Sequence, residues 1–388
     1  VAVSDTVYTR PEHEQLRREV ARFIAREIEP NAGAWDAQGF VPRAVLRTMG
    51  SLGWLGLTVA EADGGAGADM VTNVVFQEAL ARSTSGGFVI TVLVHTDMAS
   101  PHLVNAGNAA QKQRWLPKIL AGEVITAVAI SEPDTGSDVA AIRTRAIRDG
   151  DHYVLDGTKM FITNGVHADL LFVAARTEPV PGSRSSHGIS ILAVERAMPG
   201  LRVGRALAKH GWLASDTAEL VFENCRVPAA NLLGEENRGF HAIMRNFQVE
   251  RIALASMAVG EAQTALDLTS RYVRERKAFG GTLWDQQTVR QRLTMRAAQV
   301  EAARQLLYHC AWMVDQRRDA VREVSMLKAL TGELVNDVMY DCQQFHGGAG
   351  YMRESPIERL VRDARVLAVG GGATEVMLEE VAKRWVPA

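Results

Sequence analysis

The 388 residues predict an α+β protein in three parts: an N-terminal helical domain over 1–123, a middle antiparallel β-barrel or sandwich over 124–234, and a C-terminal four-helix bundle over 235–388. Three observations carry this division. Apolar residues recur at helical spacing up to about Gly122. Short β-type runs bounded by Gly, Pro, Asp and Asn then take over. From Arg238 onward the helical period returns in long segments suited to a packed bundle. Strands and helices do not alternate, which argues against the βαβ units of a Rossmann dinucleotide site.

In the first part Leu16, Val20, Phe23 and Ile24 form one helical stripe. Val74, Val75, Glu78, Ala79 and Arg82 form another, and 113–120 a short amphipathic piece. The loop GGAGAD at 64–69 follows no clear strand and does not fit GxGxxG, so it reads as a turn. The middle part contains VITAVAIS, HYVLDG, LLFVAART, GISILAVE and AELVFENCRV, the strands of a compact β domain. In the last part the helical period spans about 239–275, 286–315 and 322–345, with a final helix from about Thr374.

A hydrophobic share of 47%, 23% charged residues and a net charge of -2 fit a globular protein with no basic field for nucleic acid. Cys225, Cys310 and Cys342 are odd in number and far apart, the pattern of reduced thiols in a cytoplasm, not of a disulfide framework or a metal site. The first twenty residues have no apolar signal core. Apolar runs such as 124–130 fall far short of the roughly 20 residues that span a bilayer, so no membrane association is expected.

Four features can carry chemistry. AVAISEPDTGSD at 127–138 sets a strand against a turn rich in hydroxyls and carboxylates, which can hold the edge of a heterocycle or a phosphate, or be a plain turn. KMFITNG at 159–165 ends a second strand with Phe161 and Thr163, two residues apart and so on one face. On the long helix, Phe240, Ile243, Met244, Phe247, Leu254, Ala255 and Ala258 make an apolar stripe, and Glu250 falls on it. A carboxylate there either bridges to its neighbour Arg251 and solvent, or is buried with a pKa raised into the range of a general base. Finally, RERKAFGG at 274–281, QQFHGGAGY at 343–351 and GGGATEV at 370–376 combine cations with glycine clusters that can form anion nests or simple turns.

Taken in order, SEPDTGSD, KMFITNG, GWLASDTAELVFENCRVPAANLLGEENRGF, ERIALA, RERKAFG, QQFHGGAGY and VRDARVLAVGGGATEV make the chain resemble the acyl-CoA dehydrogenase family over essentially its whole length. The resemblance implies FAD as cofactor, an acyl-CoA substrate, an electron-transfer flavoprotein as partner, a homotetramer and a place in fatty acid β-oxidation. It further implies that Ile130, Ser131, Phe161 and Thr163 line the flavin, with Gly136 and Ser137 near the junction of flavin and thioester. Arg276, Phe279, Gln287, Gln344, Gly347 and Gly348 match positions that reach the FAD of a neighbouring subunit. Ser137 and Arg251 fall on the substrate side. Phe161 stands where many members have Trp, and Ala278 and Ala373 where hydroxyl residues are common.

Many members carry the catalytic Glu in the stretch matched by Gly370, Gly371 and Gly372, where this chain has no carboxylate. A smaller set, the isovaleryl- and long-chain-specific dehydrogenases, has it in an E-R-[LI] motif on the long helix, the place of Glu250. The resemblance thus implies Glu250 as base and the Gly371 amide as a donor to the thioester oxygen. Two other readings stand beside it: a flavin oxidase or monooxygenase on the same fold, and a non-catalytic member or subunit of a heteromer.

Overall fold

A computed structural model describes residues 6–178 and 186–385. The helical first part contains α1 (Pro11–Phe23), α2 (Ala32–Gln38), α3 (Arg43–Ser51), α4 (Met70–Leu80), α5 (Gly86–Leu93), α6 (Ser100–Ala106) and α7 (Ala109–Leu120). Local chemistry fixes their starts. Asp69 caps α4 by accepting the Thr72 N–H at 2.8 Å. Asn108 and Gln111 form a reciprocal capping box on α7.

The middle part holds β1 (Thr126–Ala129), β2 (Arg145–Asp149), β3 (His152–Thr163), β4 (Leu170–Arg176), β5 (Ile189–Glu195), β6 (Leu201–Ala206), β7 (Thr217–Pro228) and β8 (Leu232–Leu233). They form one sheet in the order β6-β7-β3-β2-β4-β5-β8, with β1 added to β4. Of the expected antiparallel barrel or sandwich, no barrel closes, and the sheet is not wholly antiparallel, because β1 and β2 both run parallel to β4. The physical reason lies in β4 and β5, which are buried on both faces. Leu170, Phe172 and Ala174 join a core with Trp115 and Leu116 of α7, while Leu171 and Val173 join Tyr153, Leu220 and Phe222 of β3 and β7. The sheet therefore folds over on itself on one side and carries helices on the other, a use of alternation that an unbroken apolar run conceals.

The last part is built from α8 (Gly239–Glu275), the hairpin β9 (Lys277–Ala278) and β10 (Gly281–Thr282), then α9 (Gln287–Asp315), α10 (Val321–His346), α11 (Pro356–Ala364) and α12 (Thr374–Ala382). The helices α8, α9, α10 and α12 lie where the sequence period puts them, with α8, α9 and α12 packed on α10. Their core is continuous with that of α1, α4 and α5. A buried ion pair, Arg304 Nε to Glu78 at 2.7 Å, ties α9 to α4. Among the described residues no helix is long and apolar enough to cross a membrane.

Candidate active site

Two strand ends that the sequence singled out lie side by side. The Met160 N–H donates to the Ser131 carbonyl at 2.9 Å. Lys159, fully buried, donates from Nζ to the Ile130 carbonyl at 2.8 Å and to Glu132 at 2.9 Å. Glu132 also accepts the N–H groups of Arg143 and Thr144, at 2.6 and 2.9 Å. Burial works against its charge, but the Lys159 cation and these hydrogen bonds outweigh it and hold the carboxyl below its usual range. Burial in turn lowers Lys159 to about 8, against the pull of Glu132. This knot fixes the turn that presents Ser131 half-buried and Gly136 and Ser137 exposed.

Phe161 and Thr163 do not follow simple alternation. The register of β3 on β7 slips between Lys159 and Ile162, and Phe161 lies in the bulge with φ 62°. Its ring is 69% exposed, whereas Thr163 is half-buried. An aromatic residue in the left-handed region is uncommon and points to function.

Glu250 sits a third of the way along α8. Its neighbour one turn back, Phe247, packs on the cluster that contains Ile130, so the helix meets the strand ends here. Burial raises the Glu250 carboxyl to about 7, with Arg251 and Lys328 opposing the rise. Among the described residues no hydrogen bond or ion pair is made to it. Arg251, the partner expected from sequence, instead lays its guanidinium over the Phe247 ring at 5.7 Å, and its Nε is buried without an acceptor.

The glycine triplet reaches the same spot. Gly371 has φ 62°, and a Cβ built on it would lie 3.6 Å from Glu250 Oε1 and 2.1 Å from Leu254 Cδ1. Only glycine fits there without displacing Leu254. The N–H groups of Val369 and Gly370 both donate to Val366, but among the described residues the Gly371 N–H has no acceptor. An unpaired carboxyl and an unpaired amide thus share one small space.

The remaining predicted contacts form a second, separate surface. Arg276 follows Glu250 by 26 positions, just past the end of α8, about 39 Å at the helical rise. Phe279 and Gly280 form the two-residue tip of the β9–β10 hairpin, both at positive φ (52° and 83°), and the Phe279 ring is 92% exposed. Arg276, Gln287, Gln344, Gly347 and Gly348 are exposed as well. The stacking of Tyr272 on His346, 4.4 Å between centroids, brings the end of α8 to the 344–348 segment. One chain therefore does not gather all the predicted contacts around a single point.

Sequence reasoning did not single out Lys328, a buried cation on α10 next to the triplet. Its signal was a lysine amid Val324, Leu327, Thr331 and Val335, all buried.

Family models for the acyl-CoA dehydrogenase N-terminal, middle and C-terminal domains match residues 10–123, 127–225 and 237–386. The chain belongs to the acyl-CoA dehydrogenase family. It is 39% identical over 377 residues to the mitochondrial long-chain specific acyl-CoA dehydrogenase of Sus scrofa, covering 97% of this chain and 86% of that one. A crystal structure of acyl-CoA dehydrogenase from Geobacillus kaustophilus superposes with a TM-score of 0.94 at 40% identity, covering 98% and 99% of the two chains. An FAD complex of PigA matches at a TM-score of 0.93 and 25% identity, covering 98% and 99%. The protein is accordingly an acyl-CoA dehydrogenase-class enzyme with the family's helical, β and helical order. Glu375, the nearest carboxylate after the triplet, is exposed on α12.

Proposed function

We propose that the protein dehydrogenates an acyl-CoA between its α- and β-carbons, giving the trans-2-enoyl-CoA, with Glu250 as the base. The observation that carries this reading is the pairing of a carboxyl raised to about 7 with the Gly371 N–H, both without a partner among the described residues, a Cβ built on Gly371 lying 3.6 Å from Glu250 Oε1. A thioester α-proton is weakly acidic, so its removal needs a base held close and a donor for the oxygen that gains charge. Glu250 takes the α-proton while the Gly371 N–H donates to the thioester oxygen. Ser137 and Arg251 would steady the thioester and the acyl-CoA beyond it.

The residues present fit FAD. The exposed Phe161 ring beside Ser131, and the open space over Gly136, where an added Cβ meets nothing within 4 Å, suit a planar heterocycle. Ile130, Ser131, Phe161 and Thr163 would hold the ring system, and Ser137 its substrate side. FAD, when bound, supplies the acceptor for the β-hydride. We assign Arg276, Phe279, Gln287, Gln344, Gly347 and Gly348 to the FAD of a neighbouring subunit in a homotetramer, because Arg276 lies about 39 Å from Glu250 at the rise of α8, and all six are exposed, Phe279 presenting its ring to the outside. An electron-transfer flavoprotein would take the electrons away. Three buried free thiols suit a reducing cytoplasm.

Anaerobic mixing with butanoyl-, octanoyl-, hexadecanoyl- and isovaleryl-CoA tests the reading. At least one should bleach the flavin band, with the reduced enzyme oxidised slowly by air. Yellow enzyme that none of them bleaches would sink the assignment, and rapid reoxidation by air would make it an oxidase. For the second surface, Arg276→Ala should stay folded but lose flavin on dilution, since a bidentate cation for a pyrophosphate is removed. Filtration of the diluted protein followed by absorbance reads the loss, and unchanged retention would move the contact elsewhere.

A further inference from the structure

α10 grips the segment before and through the glycine triplet with three residues spaced by four. Lys328 Nζ donates to the Leu367 carbonyl at 2.7 Å and to the Gly372 carbonyl at 3.0 Å. One turn on, Gly332 lets the backbones touch, because a Cβ there would lie 2.8 Å from the Leu367 carbonyl oxygen and 3.1 Å from Ala368 Cα. A further turn on, Asn336 Nδ2 donates to the Ala364 carbonyl at 3.3 Å. The stripe is continuous on one helix face. At its end Thr374 donates to Glu333 at 2.8 Å, closing the segment onto α10 from the other side.

Lys328 stands apart from the other two grips because it is charged. A buried ammonium is costly unless paired, yet this one spends two of its three donors on main-chain carbonyls and, among the described residues, hydrogen-bonds no carboxylate. A neutral donor could tie one carbonyl as well. What a lysine adds is a second tie, which brackets the triplet, and a positive charge beside Glu250. The groups that face it are Glu250 and Arg251 of α8 and Glu333 of α10, while Glu380 and Arg384 act on Arg251 from α12 and beyond.

We propose that Lys328 is the positioning residue for the Gly371 amide: by tying the carbonyls of Leu367 and Gly372 to α10 it fixes where the Gly371 N–H points, and it sets a positive charge on the same side as Glu250. The proposal rests on the reading of Gly371 and Glu250 given above. The lowering of Lys328 to about 8, by burial and by Arg251 against Glu250 and Glu333, fits a cation coupled to that cluster.

The test uses the flavin-loaded enzyme. Lys328→Met removes the donors and charge at similar volume. It should keep the yellow colour but slow anaerobic flavin reduction by the best substrate of the panel about 10²-fold, the scale of losing a preorganised oxyanion donor. Two readouts separate positioning from mere stability. The pH–rate profile should shift to higher pH, because Glu250 loses a neighbouring cation. The ultraviolet band of bound crotonyl-CoA, or octenoyl-CoA if longer chains are preferred, should lose the red shift that carbonyl polarisation imposes. Lys328→Arg keeps the charge with a different fork, so it should slow reduction while leaving the pH profile in place, and it serves if the methionine variant does not fold. A rate within a few-fold of wild type, or an unmoved profile and an unmoved band in Lys328→Met, overturns the proposal. In the arginine variant a displaced profile does the same. If Glu250→Gln proves fully active, the underlying reading fails. If Glu250→Gln is inactive and Lys328→Met is normal, only the role of Lys328 fails.

Discussion

Glu250→Gln is expected to slow flavin reduction by the best acyl-CoA by about 10²- to 10⁴-fold while leaving fold, colour and acyl-CoA binding intact. Glutamine is close to isosteric and neutral, and since the Glu250 carboxyl makes no hydrogen bond or ion pair among the described residues, its replacement strands no hydrogen-bond partner. In the wild type the same reduction should quicken as pH rises through about 7, because only the ionised carboxylate accepts the α-proton and burial holds Glu250 near that value. Stopped-flow bleaching over roughly pH 6 to 9 reads both effects. Bleaching of Glu250→Gln within a few-fold of wild type would place the base elsewhere. The geometry also limits how a carboxylate can be moved. Gly371→Glu points its Cβ toward the vacated site, but at φ 62° and against Leu254 Cδ1 at 2.1 Å. Recovery in Glu250→Gln/Gly371→Glu should therefore be partial and should improve when Leu254→Ala makes room.

The largest loss of stability is expected for Lys159→Met. The side chains of Lys159 and Glu132 are 0% and 7% exposed, so removing the ammonium leaves a buried carboxylate without its counter-ion, which costs about 3–5 kcal/mol. The two N–H groups of Arg143 and Thr144 still serve Glu132, which sets the expectation at the lower end. Because Lys159 also holds the Ile130 carbonyl, the turn bearing Ser131 and Ser137 should loosen and flavin affinity fall with stability. Urea unfolding midpoints and flavin retention measure the two together. Adding Glu132→Gln removes the stranded charge and should restore part of the stability. A Lys159→Met protein as stable as wild type would mean that the turn does not depend on the ion pair.

The helices of the bundle were legible because a period of 3.6 residues survives over twenty or more positions in α8, α9 and α10. The middle sheet was legible as strands but not as a topology. β4 and β5 read as unbroken apolar runs, which do not reveal which neighbour lies on which face, so parallel pairing with β1 and β2 and the open ends were hidden. Phe161 was assigned a face by alternation, and a single bulge defeats that rule. Glu250 was visible as a carboxylate on an apolar stripe. Its freedom from Arg251 was not, because the choice between an ion pair and a cation–π contact with Phe247 depends on side-chain packing that spacing does not encode. Lys328 lay in the open as a lysine among buried residues, but nothing local indicates that a segment about forty positions later supplies the carbonyls it binds.

α8 is a single rod of 37 residues with the proposed base in its first third and Arg276 just past its far end. On the proposed arrangement each chain lends its base to one centre and its arginine to another, so the two ends of the rod belong to different reactions. Chains damaged at opposite ends would then rescue each other when co-assembled. Pairing a Glu250→Gln chain with an Arg276→Ala chain concentrates both defects in one centre and leaves the other with every part intact, the genetic behaviour of two alleles that complement although they lie in one gene.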